Sequence, residues 1–203
     1  EVMIGMQDLP APTGHVIVSL DSGYDRDREL LYMRNLAARR IEGLAIAPIG
    51  HADTLTEWRR LMPNAPTVLI NADGSPHPDA MHVTPDSWQA VKLALGHLHE
   101  LGHRHIAFLT APEGQMADDA RLDAYLHLCR KYYLEPYVFP SSLAFESLVS
   151  ATRKMLNSGT PPTALIVNSD YAAQAVYAAS RSLGVDIGRN LSVVGHDDLA
   201  SSA

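Results

Sequence analysis

Apolar runs of strand length recur at residues 16–20, 44–47, 68–70, 106–109, 165–167 and 193–194. Between most of them apolar residues return at helical spacing: Leu30, Met33, Leu36 and Ala37; Val91, Leu95 and Leu98; Leu122, Tyr125, Leu126 and Cys129; Ala172, Val176 and Ala179. Strands that alternate with helices predict an α/β chain of parallel sheets flanked by helices, because a parallel pair needs a crossover and the crossover helix covers a sheet face. Gly43, Gly102 and Gly184 each follow a helical stretch and are placed to end it in the left-handed conformation.

Residues 71–79, with two prolines and a glycine, suit neither helix nor strand interior and mark a boundary. A short strand over 81–84 then leads into a helix that begins near Pro85 or Asp86. The expected division is an N-terminal lobe over 1–84 and a C-terminal lobe over 85–203, with a crossing near Thr84. Both ends read as incomplete. Val2, Met3 and Met6 look like the tail of an amphipathic helix, and the last strand has no covering helix after it.

At 203 residues and 46% hydrophobic the chain can bury a sizeable core. Its single cysteine, Cys129, cannot form an internal disulfide, and a reducing cytoplasm is the default location. No stretch approaches the roughly 20 apolar residues of a membrane span, and Glu1 to Met6 lacks the basic-then-apolar order of a signal peptide. No membrane contact is expected. The formal net charge of −7 argues against tight duplex binding by these residues, since phosphate contacts need a basic patch. Arg39-Arg40 and Arg59-Arg60 are short clusters on helices and read as solvated faces.

Polar residues gather where the strands end: Asp21 and Ser22; residues 48–50; Asn71 and Asp73; residues 110–114; Asn168, Ser169 and Asp170; Asp197 and Asp198. Ligands of open parallel sheets bind at those ends. Each residue taken singly also suits a turn or a helix cap. As a set, with the donor fork of Arg121, they predict a cleft for a polyhydroxylated small molecule. The candidate contacts are Asp197, Arg121, Asn71, Ser169, Asp170, Asp21 and Ser22.

Other chemistry finds less support. His97, His99, His103 and His105 lack the spacing of a helical metal pair, as Gly102 interrupts the one i, i+4 combination, and no metal site is expected. There is no nucleophile elbow, phosphate loop or dinucleotide fingerprint, and His196-Asp197 are sequence neighbours that rarely face each other. No catalytic set and no cofactor are expected. Trp58 is assigned to packing, while Trp88, near the crossing, is left open between packing and a ligand role.

Several segments resemble the LacI/GalR family of transcriptional regulators. They are residues 36–46 (LAARRIEGLAI), 66–71 (PTVLIN), 101–109 (LGHRHIAFL), 121–125 (RLDAY), 162–170 (PTALIVNSD) and 184–198 (GVDIGRNLSVVGHDD). The resemblance covers nearly the whole chain. It implies a two-lobed, type I periplasmic-binding-protein-like effector domain that closes on a small molecule, most often a carbohydrate, and acts as a homodimer. In that family Arg121 would contact the effector, and operator DNA would be read by a helix-turn-helix domain not present in this chain. Asn71 stands where the family usually has Asp, Ala124 where Gly is common, and Pro10 and Pro12 interrupt the first helix. The alternative of the same architecture is a transport-type periplasmic sugar-binding protein.

Overall fold

The computed structural model describes residues 14–23, 25–49, 52–72, 79–112 and 120–199. Gly50, Asp73 and Gly114 of the strand-end set, the helical reading of Val2, Met3 and Met6, and Pro10 and Pro12 lie outside the described residues. The elements run α1 (Arg26–Ala38), β1 (Leu44–Ile46), α2 (Ala52–Leu61), β2 (Thr67–Ile70), β3 (Met81–Val83), α3 (Ser87–Glu100), β4 (Ile106–Thr110), α4 (Ala120–Lys131), β5 (Tyr137–Pro140), α5 (Phe145–Leu156), β6 (Ala164–Val167), α6 (Asp170–Leu183) and β7 (Ser192–Val194).

They build two parallel sheets, ordered β1-β2-β3 and β5-β4-β6-β7. In the second, every residue of β4 and of β6 is buried. That is what a continuous apolar run does at the centre of a sheet covered on both faces. The two faces separate by alternation. Ile106, Phe108 and Ile166 pack with Val91, Leu95, Leu98, Tyr125 and Leu128 of α3 and α4. Ala107, Leu109, Leu165 and Val167 pack with Leu148, Met155, Ala172 and Val176 of α5 and α6.

The first sheet differs from the expectation of two covered faces. Leu44 and Ile46 point into a core with Met33, Leu36, Leu55, Trp58 and Leu69, while Ala45 between them is exposed and β3 is exposed along its length. Among the described residues its helices α1 and α2 form one layer, tied by Arg26–Asp53 and Arg34–Glu57, with Arg60 of α2 also on Glu57. The Arg60 and Arg34 guanidiniums hold the Glu57 carboxyl down at about 2.

Residues 16–20 form no strand. Val16, Val18 and Leu20 are exposed, and no ladder partner stands beside them among the described residues. An apolar run has strand-like propensity, but a strand exists only through its neighbour's hydrogen bonds. The helix ends are mixed as well. Gly184 closes α6 at φ 69° and Gly102 follows α3 at φ 91°. After α1 the left-handed residue is Arg40, at φ 55°, rather than Gly43. Gly43 is needed for closeness instead, since a Cβ there would press on Pro66 at 3.3 Å.

Tyr125 stitches the second sheet to α4. Its fully buried hydroxyl donates to the Ile106 carbonyl at 2.8 Å and accepts from the Tyr137 amide at 2.9 Å. Burial pushes that hydroxyl well above the usual tyrosine range, so it stays a donor. Tyr125→Phe leaves both backbone groups without this partner and is expected to cost about 1–3 kcal/mol. Chemical denaturation checks it, and an unchanged midpoint would show that water takes the hydroxyl's place.

Candidate functional site

The C-terminal ends of β4, β6 and β7 meet the first turns of α4 and α6. Arg121, in the first turn of α4, is 8% exposed, and its Nη1 donates to the Asn168 carbonyl at 2.7 Å. Its Nε is buried with no hydrogen-bond partner among the described residues. Asn168, at the end of β6, donates through Nδ2 to Thr110 Oγ1 at 2.9 Å, which links the β6 and β4 ends. Ser169 is the extended N-cap of α6 and accepts from the Ala172 amide at 3.1 Å, the bond expected of a serine at that position.

After β7 the backbone turns sharply. Asp197 takes φ 103° and Asp198 φ 53°, both in the region that favours glycine. This turn brings His196 Nε2 to 3.9 Å from Asp197 Oδ1, against the expectation that adjacent side chains diverge. Burial raises the Asp197 carboxyl above its ordinary range; the His196 and Arg121 charges pull it down, and Asp170 pushes it up again. Asp197 is therefore within electrostatic reach of both Arg121 and Asp170 at one end of one sheet.

Asp170 is buried and anchors the same turn. Its amide donates to the His196 carbonyl at 2.7 Å, and its Oδ2 accepts from the Leu199 amide at 2.8 Å. The other three candidates lie with the first sheet. Asn71, at φ 53°, is exposed and its amide donates to the Val83 carbonyl at 3.0 Å. Asp21 Oδ1 accepts from the Gly23 amide at 2.8 Å and the Ser22 carbonyl from the Asp25 amide at 3.1 Å, a turn that leads into α1. Among the described residues no hydrogen bond or ion pair joins Asp21, Ser22 or Asn71 to the Arg121–Asp197 group.

A cavity of about 580 Å³ opens where the chain passes from β3 into α3, lined by Thr84, Asp86, Trp88, Ala120 and Asp123 among others. Trp88 is 43% exposed at its edge and meets His127 edge-on at 5.0 Å. Trp58 is fully buried in the first core, with Nε1 donating to Thr67 Oγ1 at 3.1 Å. The histidines have separate attachments: His103 spans Thr163 and Ser192, His99 stacks on Tyr132 and His105 on Tyr137. Sequence reasoning takes Gly195 only as the end of the last strand and gives it no role in the site. Its position between β7 and the two aspartates was the available signal.

The model of the periplasmic binding protein-like domain matches residues 95–203, just over half of the chain. The HTH-type transcriptional repressor CytR of Escherichia coli (strain K12) is 24% identical over 205 residues, covering 98% of this chain and 59% of the repressor. The chain thus spans about three fifths of the length of that relative. Among solved structures, the Lac repressor dimer bound to operator and the anti-inducer ONPF superposes with a TM-score of 0.82 at 23% identity, over 99% of this chain and 70% of that one. A LacI family transcriptional regulator from Enterococcus faecium with bound ribose gives 0.79 at 21%, over 97% and 72%. Matched by the family model through its second sheet, the chain belongs to the periplasmic binding protein-like domain family, and the proteins it is similar to include LacI-type transcriptional regulators.

Proposed function

We propose that this chain is an effector-binding and dimerisation domain that senses a small polar ligand, most simply a sugar, in a cleft between lobes 1–84 and 85–203. The observation that carries the reading is a buried guanidinium, Arg121, whose Nε–H has no partner among the described residues and whose Nη1 is bonded to the end of β6, together with the half-exposed carboxylate of Asp197, which lies after β7 in the same sheet and feels the Arg121 charge. Adjacent hydroxyls on a sugar can donate to such a carboxylate while accepting from the guanidinium. The site end of the first lobe, with Asp21, Ser22 and Asn71, would close over the ligand from the other side, and Ser169 and Asp170 would complete the second wall. The ribose held by the Enterococcus faecium regulator supports the ligand class, and the dimeric Lac repressor supports a homodimer.

Coupling to DNA follows from closure. A ligand that favours one of two lobe arrangements shifts the dimer's geometry, and no bond need be made or broken in the ligand. With a net charge of −7, residues 1–203 are not the operator-reading surface; a helix-turn-helix domain outside them would be, in the cytoplasm. No helix among the described residues is long and apolar enough to cross a membrane.

Calorimetry on the full-length protein with ribose, glucose and related sugars tests the site. Arg121→Ala and Asp197→Ala should each weaken binding by about 1.5–3 kcal/mol, the value of a hydrogen bond to a charged group. Unchanged affinity in both variants removes the site, and a sugar recovered chemically altered revives an enzymatic reading. Fluorescence anisotropy on promoter DNA tests the coupling, since the bound sugar should shift operator affinity of the full-length protein and residues 1–203 alone should show none.

A further inference from the structure

Asp170 is the first residue of α6, and a carboxylate at a helix N-terminus needs no special explanation. What that position does not explain is where the side chain reaches. It is 7% exposed, and it holds the segment after β7 at three places. Its amide donates to the His196 carbonyl at 2.7 Å, its Oδ2 accepts from the Leu199 amide at 2.8 Å, and its Oδ1 fills the space beside Gly195 where a Cβ would stand. The contacts at 195, 196 and 199 bracket Asp197 and Asp198 on both sides.

The bracketed pair is the part of the turn that does not hold itself. Asp197 at φ 103° and Asp198 at φ 53° are non-glycine residues in left-handed backbone, and such conformations persist only where surrounding contacts over-determine them. β7 ends at Val194, and the bonds named above tie the residues after it to the start of α6. Gly195 is glycine because the bracket is tight: any side chain there would collide with Asp170 Oδ1, which cannot swing away without releasing Leu199.

We propose that Asp170 is a positioning residue, which with Gly195 holds the 195–199 turn so that the Asp197 side chain faces Arg121 and the ligand. The proposal rests on the reading of Asp197 as a ligand contact, and it gives Asp170 a role that is exercised through Asp197.

Amide hydrogen exchange on the full-length protein without ligand tests the bracket independently of that reading. Asp170→Ser keeps a helix-starting residue but cannot reach Leu199, and its Leu199 amide should exchange roughly tenfold faster or more, with the α6 amides at Val176 and Ala179 unchanged. Asp170→Asn retains an oxygen for Leu199 and should restore most of the protection. Gly195→Ala should accelerate the same amide while Asp170 is left in place. Leu199 exchange that is the same in Asp170→Ser as in the wild type overturns the proposal. Ribose and glucose are the probes for the second arm: Asp170→Ser should weaken whichever binds, and adding it to Asp197→Ala should cost nothing more, because the two act as one unit. Additive losses would overturn positioning and make Asp170 a contact in its own right. If neither sugar binds the wild type, the ligand reading loses support while Leu199 exchange still decides for or against the bracket.

Discussion

Replacing Trp58 with alanine is expected to lower stability by about 3–5 kcal/mol, the range for emptying a large buried aromatic site. Two losses add. The indole is fully buried among Met33, Leu36, Leu55 and Leu69, and its removal leaves a cavity under the α1–α2 layer. It also leaves Thr67 Oγ1 without its donor, at the start of β2, the middle strand of the first sheet. Against a total stability of about 5–15 kcal/mol for an ordinary domain, the change is enough to unfold the first sheet ahead of the second. Denaturant melts followed by exchange in each sheet should therefore show two transitions in Trp58→Ala. Trp58→Phe should soften the loss by keeping most of the volume. A cost under about 1.5 kcal/mol would mean that the site collapses without a cavity.

The central strands of the second sheet announce themselves because both of their faces are buried, so four apolar residues stand in a row in each of β4 and β6. Trp58 and Gly184 were legible for equally local reasons, bulk and backbone freedom. β5 and α5 were not. β5 is an edge strand, half-buried and ending at Pro140, and the helix after it begins at Phe145 behind an N-cap, Ala144, that makes no side-chain bond. Neither carries the punctuation on which a local reading depends. Residues 16–20 failed in the opposite sense, as a clear apolar run whose state depends on a neighbour that no local pattern encodes. In the site, the charged residues Arg121 and Asp197 stood out by type and place. The link between Asp170 and Leu199 spans 29 positions and uses a backbone amide, which every residue but proline offers, so nothing in the residue types marked it.

Substituting Asp197 with asparagine should move stability and binding in opposite directions. Burial holds the Asp197 carboxyl above its ordinary value in the folded protein and outweighs the lowering by His196 and Arg121, with a smaller rise from Asp170. The folded state then binds the proton more tightly than the unfolded chain does. Stability accordingly falls as pH rises through the window from the ordinary aspartate value, near about 3.9, to the raised one, and the full penalty is present at neutral pH. Asparagine does not titrate, keeps nearly the same shape and tolerates a left-handed backbone at least as well. Asp197→Asn is therefore expected to melt above the wild type at pH 7, with the difference shrinking toward zero as the pH is lowered past the aspartate range. Ligand affinity should drop in the same variant, by roughly tenfold or more, because a neutral amide replaces the charged acceptor. Such a trade is characteristic of a residue kept for its chemistry at some cost to the fold. Thermal melts across pH 3.5–7.5 alongside sugar calorimetry measure both halves, and a variant less stable than the wild type at pH 7 would show that the carboxylate's attraction to Arg121 and His196 outweighs its burial.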